Sequence, residues 1–311
     1  MTNALRHFTD LSILTPAIAR ALIDYAKILK ASFKAGKGSK PFIGKTLAMI
    51  FEKPSTRTRI SFDISMRQLG GDTIMLTGSE MQLGHSETIA DTARVLSRFV
   101  DIVILRTTKH QRMLELAQYA QIPVINALTD DTHPCQILAD ILTYEEHRGP
   151  ISGKIFAWMG DGNNVLHSLI EAAALFDFHL RIATPKGSEP QEKFIHWARE
   201  RGAHLTLTHN PQKAAQDADC IMTDTWVSMG QEFRARSRST FQPYQVNESL
   251  MKLAKSDALF MHCLPAHRGE EVVDTVIDGP HSVVFDEAEN RLHAQKAILS
   301  WCLQDAFFSP Q

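Results

Sequence analysis

The chain has 311 residues, enough for two domains of ordinary size, each with its own core. Hydrophobic residues make up 44% and charged residues 22%, with a formal net charge of -2, which excludes a chain basic throughout and built for nucleic acid. No apolar window approaches the ~20 residues of a membrane span, the N-terminus lacks a secretory pattern, and Cys135, Cys220, Cys263 and Cys302 have neither metal nor disulfide spacing, so a cytoplasmic location is expected.

In chain order, Thr15 reads as the N-cap of a first helix, Pro16 as its first position and Gly36 as its stop. Strand KTLAMIF (45–51) follows, then a helix from about Ser61 to Leu69, strand DTIMLT (72–77) and helix ETIADTARVLSRF (87–99). Next come strand DIVILRT (101–107), helix RMLELAQYAQ (112–121), strand PVINAL (123–128) and the long helix HPCQILADILTYEEHRG (133–149). Gly149-Pro150 and Ser152-Gly153 interrupt the pattern. It restarts with KIFAWMG, NNVLHSLIEAAALF, HLRIATP, QEKFIHWARERG, HLTLTH, DCIMTDTW and LFMHCLP. The stretch QEFRARSRSTFQP (231–243), with three arginines in five residues, reads as a loop, and a last helix runs from about Ala288 to Phe307.

Strand-length apolar runs alternating with helices predict an α/β class: two doubly wound parallel-sheet domains. The expected boundaries are 1–147 for the first, completed by the C-terminal helix 292–311, and 148–291 for the second. That helix, at ~1.5 Å per residue, is long enough to pack back on the first domain.

Three stretches imitate nucleotide sites. GKT (44–46) has Ser39 where a P-loop needs its first glycine, and it precedes its strand; with VVFDEAE (283–289) it makes no nucleotide-driven motor. MGDGNNV (159–165) follows a strand and opens a helix, but Val165 stands at the third glycine, and HLRIATP ends in no acid to hold a ribose.

PSTRTR (54–59) lies between a strand and a helix. Free N–H groups at a helix start, with hydroxyls and arginine forks, make a phosphate-sized anion site; taken alone, the stretch is equally a capping segment with solvated arginines. Its company favours the anion site. Arg106 ends the next strand out, and after PVINAL the segment THPCQ puts His133 at an N-cap with Gln136 three residues on, so that both face one point. In the second half, DTWVSMG places Asp224, Ser228 and Met229 after a strand, and HCLP places Cys263 and Leu264 at the end of another. One half suits a doubly charged phosphate, and the other offers Asp224 to a cation.

In this order, and over essentially the whole chain, PSTRTR, HPCQ, DTWVSMG, HCLP and ENR (289–291) resemble the signature segments of the ornithine carbamoyltransferases. The first two are shared with the wider aspartate/ornithine carbamoyltransferase family. The resemblance implies transfer of the carbamoyl group of carbamoyl phosphate to L-ornithine, giving citrulline and phosphate in arginine biosynthesis. It implies no metal or organic cofactor, no nucleic acid or membrane partner, and a homotrimer with active sites shared between subunits.

By the same resemblance, Ser55, Thr56, Arg57 and Thr58 bind the phosphate, Arg106 bridges phosphate and carbonyl oxygen, His133 and Thr58 polarise the carbonyl, and Gln136 holds the carbamoyl amide. Arg291 contacts carbamoyl phosphate, and Gln82 reaches the site from a neighbouring subunit. Asn164, Asp224, Ser228 and Met229 hold the amino-acid head group, while Cys263 and Leu264 sit beside the δ-amine and carbamoyl group. Two acceptors for the amine proton stay open: Cys263, tuned by Asp224, and the departing phosphate.

Overall fold

A computed structural model of the chain describes residues 5–78, 87–226, 238–304 and 306–308. Thr15 caps the first helix, α1 (Pro16–Lys34), by accepting a hydrogen bond from Ile18 N, and the helix buries a stripe of Ala19, Leu22, Ile23, Ala26 and Leu29. The chain then alternates through β1 (Thr46–Phe51), α2 (Thr56–Gln68), β2 (Asp72–Thr77), α3 (Ile89–Leu96), β3 (Ile102–Arg106), α4 (His110–Tyr119) and β4 (Val124–Leu128). These strands form one parallel sheet in the order β2-β1-β3-β4.

β1 and β3 occupy the centre of that sheet, which is why they read as continuous apolar runs: all but Thr46 is buried. β2, at an edge, is only partly covered. At the other edge the backbone of Phe8 donates to Val124 O at 2.8 Å and accepts from Asn126 N at 2.8 Å, pairing the N-terminal segment with β4.

After α5 (Pro134–Arg148) the second alternation runs β5 (Ile155–Met159), α6 (Asn164–Phe176), β6 (His179–Ala183), α7 (Glu192–Glu200), β7 (Leu205–Thr208), α8 (Pro211–Ala215) and β8 (Cys220–Thr223). The short helices α9 (Arg238–Phe241) and α10 (Glu248–Met251), then β9 (Leu259–His262), α11 (Asp274–Ile277) and the long α12 (Val284–Cys302), complete the chain. The second sheet is also parallel, in the order β7-β6-β5-β8-β9. The fold is therefore two α/β units with parallel sheets of four and five strands.

The two compact units are Met1–Leu142 with Asn290–Gln311, and Thr143–Glu289, so both boundaries fall within helices, α5 and α12. In the first unit α12 is held by Ser65 Oγ donating to Leu292 O (2.9 Å), by Lys30 Nζ donating to Asn290 Oδ1 (2.8 Å), and by Trp301 edge-on to Phe8. The second unit packs Tyr144, Phe156 and Phe178 in a row, with ring centroids 4.8 and 4.9 Å apart. Nearly all of α6 is buried, as its apolar composition requires.

Two helix ends differ from the sequence expectation. α2 starts at Thr56, five residues before Ser61, so the PSTRTR hydroxyls and cations belong to its first turn. Serine, threonine and arginine there gave no apolar periodicity to announce a helix. α12 starts at Val284 and ends at Cys302, so VVFDEAE is a helix start and no strand precedes its acids. Of the arginine-rich stretch, 231–237 lies outside the described residues; Arg238 opens α9 and meets Glu270 at 2.8 Å in an exposed ion pair.

Candidate active site

In an open parallel sheet, ligands gather beyond the carboxyl ends of the strands where the strand order reverses. The first unit reverses between β1 and β3, and the second between β5 and β8. PSTRTR follows β1, Arg106 ends β3, MGDGNN follows β5 and Asp224 follows β8. The topology thus puts each polar segment of the sequence at such a point.

In the first unit Ser55 is the N-cap of α2 in extended backbone, and its hydroxyl does not cap the first-turn N–H groups, the kind of helix start that suits an anion. Ser55 and Arg57 are half-buried, Thr56 is exposed and Thr58 is buried. Two guanidiniums converge on Thr58: Arg106 Nη1 donates to its Oγ1 at 3.2 Å and Arg291 Nη2 at 2.7 Å. A hydroxyl oxygen has two lone pairs, so with both engaged its O–H is left to donate. The β3–β4 register shifts between Leu105 and Arg106, an irregularity of the kind that re-aims a side chain at a strand end.

Glu52 holds this corner together. Its carboxylate accepts from Arg112 Nη1 at 2.9 Å and from the Thr107 hydroxyl, tying the end of β1 to the residues that follow β3.

His133 and Gln136 stand at the start of α5, where Gln136 N donates to His133 O at 3.2 Å. Burial, with the Arg291 and then the Arg106 guanidinium adding to it, holds the His133 imidazole well below its usual range, so it is neutral near pH 7. The linkage has a definite sign. The unfolded chain binds a proton here near pH 6.5 and the native chain does not, so this contribution to stability is whole above that pH and is lost as pH falls below it. Urea unfolding midpoints between pH 7 and 5 are expected to fall less in His133→Asn than in the parent chain. Parallel slopes would contradict a neutral buried imidazole.

The second unit builds its cluster on Asp224. Asn163 is the N-cap of α6: its Oδ1 accepts from Val165 N and Leu166 N at 3.0 and 3.2 Å, while its Nδ2 donates to Asp224 Oδ2 at 2.7 Å. The other oxygen, Asp224 Oδ1, accepts from Thr225 N at 2.8 Å and from Cys263 Sγ at 3.2 Å. Asn164, the first residue of α6, is half-buried beside this clamp. Gly162 is required in the turn, because a Cβ there would lie 2.4 Å from the backbone of Glu189 and Pro190.

At the end of β9 the backbone N–H of Leu264 donates to His262 Nδ1 at 2.9 Å, so the ring proton of His262 sits on Nε2, 3.1 Å from Glu271 Oε1. His262 N in turn donates to Glu287 Oε2 at 2.9 Å. Leu264 itself has φ of 55°, a left-handed conformation rare for a branched residue and concentrated at functional sites. Asp224, His262 and Cys263 bring possible metal-ligand atoms within 4.8 Å of one another, as do His267, Glu270 and Glu271; hydrogen bonds within the protein already engage Asp224 and Glu271, and an ion pair with Arg238 engages Glu270.

The structure therefore assembles Thr58, Arg106, His133 and Arg291 in the first unit, and Asp224 with Cys263 in the second. Gln82, Ser228 and Met229 lie outside the described residues. Sequence reasoning missed Asn163, Asp140, His262 and Glu271. A second asparagine before an apolar helix pointed to an N-cap, and Asp140 lies four residues after Gln136 on one helical face; no local signal links His262 to Glu271, nine residues away in irregular chain.

Comparison with known proteins gives consistent matches over the whole chain. The family described as "Aspartate/ornithine carbamoyltransferase, carbamoyl-P binding domain" matches residues 6–146, and its "Asp/Orn binding domain" matches residues 152–302. The chain is 71% identical over 303 residues to an ornithine carbamoyltransferase of Brucella ovis, covering 97% of each, and 66% identical over 300 residues to one of Mesorhizobium japonicum, covering 96% of this chain and 99% of that one. Among solved structures it is similar to ornithine carbamoyltransferase from Pyrococcus furiosus, with a TM-score of 0.92, 52% identity and 96% of each chain covered. It is also similar to the anabolic enzyme from Campylobacter jejuni, with a TM-score of 0.90, 37% identity, and 96% and 99% of the two chains covered.

Proposed function

The chain belongs to the aspartate/ornithine carbamoyltransferase family, and we propose that it transfers the carbamoyl group of carbamoyl phosphate to the δ-amine of L-ornithine, giving L-citrulline and phosphate, as a step of arginine biosynthesis. The observation that carries this reading is the convergence of Arg106 and Arg291 on the Thr58 hydroxyl beside a neutral His133. Two guanidiniums and the N-terminus of α2 suit a phosphate dianion, and Ser55, Thr56 and Arg57 take part in that grip. Neutral His133 and the Thr58 O–H supply uncharged donors for the carbonyl oxygen.

Attack of the amine forms the new C–N bond and drives charge onto that oxygen; the C–O bond to phosphate then breaks, and phosphate leaves with the electron pair. Removing one fixed donor to such an oxygen typically costs on the order of 3 kcal/mol, which sets the weight of His133. Gln136 takes the carbamoyl amide. Asp224, held open-handed by Asn163, takes the α-ammonium of ornithine with Asn164, Ser228 and Met229, and Leu264 lies beside the reacting groups.

The δ-amine resembles a lysine, and presenting it neutral near pH 7.4 costs about 4 kcal/mol. Two groups can take its surplus proton. The Cys263 thiol already points at Asp224, so sulfur can accept one proton while passing another to the carboxylate; the departing phosphate is the other acceptor. If sulfur is the acceptor, Cys263→Ala is expected to lose kcat by about 100-fold or more with carbamoyl phosphate binding intact, in line with the usual weight of a general base. A loss below about tenfold assigns the proton to phosphate.

The direct test of the function is a colorimetric citrulline assay with ornithine and carbamoyl phosphate. No citrulline above background from folded protein would remove the reading, and equal turnover of aspartate would broaden it.

A homotrimer with shared sites, in the cytoplasm, is part of the same proposal. Ile60 and Ile64, one turn apart on α2, are exposed on the first unit, apolar side chains of the kind that self-association covers. Among the described residues no helix is long and apolar enough to cross a membrane. Mixing an Arg57→Ala variant with a Gln82→Ala variant is expected to restore up to about a quarter of parent activity, the statistical share of sites that draw both intact residues from two subunits. No recovery, with subunit exchange shown by labelled chains, would mean that each site is built from one chain.

A further inference from the structure

We infer that Asp140 is a positioning residue that fixes which end of the Gln136 amide meets the substrate, and that it thereby makes the first unit select a transferable group ending in –NH2 over one ending in –CH3. The inference rests on the proposed placement of the carbamoyl amide against Gln136. Asp140 follows Gln136 by four residues on α5, so the two side chains share one face of the helix, and both are buried. Gln136 Nε2 donates to Asp140 Oδ1 at 2.8 Å.

An amide side chain has two ends of nearly equal shape and opposite hydrogen-bonding sense, and a site that reads a ligand with one of them must settle which end faces out. An ionised carboxylate settles it, because it accepts and never donates: the –NH2 of Gln136 turns to Asp140, and Oε1 points the other way. Oε1 is an acceptor. It complements the N–H groups of a carbamoyl –NH2 and offers nothing to an acetyl methyl. A hydrogen bond to a buried carboxylate also polarises the amide, drawing density toward Oε1 and strengthening what it accepts.

Asparagine at position 140 would remove this control at constant shape, since its own amide can meet Gln136 with either end. A site built to hydrogen-bond a substrate N–H rejects the analogue lacking it far more sharply than a site that senses only volume. The discrimination is thus expected to depend on the charge at position 140 and not on its size.

The test compares the parent chain with Asp140→Asn, Asp140→Glu and Gln136→Ala, measuring kcat and KM for carbamoyl phosphate and competitive inhibition constants for acetyl phosphate and inorganic phosphate. Asp140→Asn is expected to reduce kcat/KM for carbamoyl phosphate by about 10- to 100-fold, the usual weight of a hydrogen bond to a charged group, while both inhibition constants stay within about twofold. Asp140→Glu keeps an acceptor-only carboxylate and is expected to retain the carbamoyl-over-acetyl preference within about tenfold of the parent, the allowance for a shifted hydrogen bond. A merely structural role would weaken all three ligands together, and that outcome overturns the inference.

Preference unchanged in folded Asp140→Asn but lowered in Gln136→Ala also overturns it, and leaves the proposed function standing. Preference unchanged in Gln136→Ala removes the placement of the carbamoyl amide itself, and the inference with it. Should Asp140→Asn fail to fold, the glutamate variant against Gln136→Ala decides: a preference lost in both equally refutes the role of the charge.

Discussion

Arg106→Ala is expected to lower kcat/KM for carbamoyl phosphate by about 1,000-fold or more while the folded chain persists, a loss on the order of 4 kcal/mol. The size follows from where the guanidinium stands. Arg106 is buried at the end of β3, on the Thr58 hydroxyl that also receives Arg291, so it serves two purposes at once. On the proposed function its charge meets the phosphate dianion, and its N–H fixes the hydroxyl that turns its own proton to the substrate.

Two like charges on one oxygen also repel each other in the empty protein, and a dianion relieves that repulsion. The variant is therefore expected to melt no lower than the parent without ligand, and to lose most of the rise in melting temperature that carbamoyl phosphate or phosphate gives the parent. Calorimetric or fluorescence melts, with and without phosphate, check this directly. A variant that still gains the full phosphate-dependent rise would show that the anion is held elsewhere.

Asp224→Asn carries the second large effect: about 100- to 1,000-fold in kcat/KM for ornithine, with binding of carbamoyl phosphate nearly unchanged. Loss of one buried charge partner for an ammonium, together with a disturbed hydrogen-bond set, costs about 3 to 4 kcal/mol. In the parent, one carboxylate oxygen accepts from Asn163 Nδ2 and the other from Thr225 N and Cys263 Sγ. An asparagine retains only one acceptor, so one of these donors faces an –NH2. Initial rates over both substrates separate the outcomes: a rise confined to the ornithine KM fits a head-group role, and equal losses for both substrates would refute the division of labour between the two units.

Several parts of this protein were legible without coordinates. KTLAMIF and DIVILRT read as buried strands because a central parallel strand, covered on both faces, has no polar positions to break its run, and both became core strands. Arg106, His133, Asp224 and Cys263 stand out in the sequence as candidates because each falls at a strand end or a helix start, and the structure puts them at those positions, where an α/β sheet presents its ligands. α2 was less legible. Its first turn carries hydroxyls and cations, and the periodicity that marks a helix comes from the face it buries.

By itself the sequence determined the class of fold, the order of its elements and the chemical types waiting at the strand ends, because hydrophobic period and capping chemistry act over a few residues. Only the tertiary structure decided what those types became. Arg291 reaches Thr58 across 233 residues of chain, His133 is neutral because burial and two guanidiniums make it so, and Asn163 turns from a helix cap into the clamp on Asp224. Those properties belong to contacts between distant segments and to the low polarity around them, and no local pattern of side chains contains either.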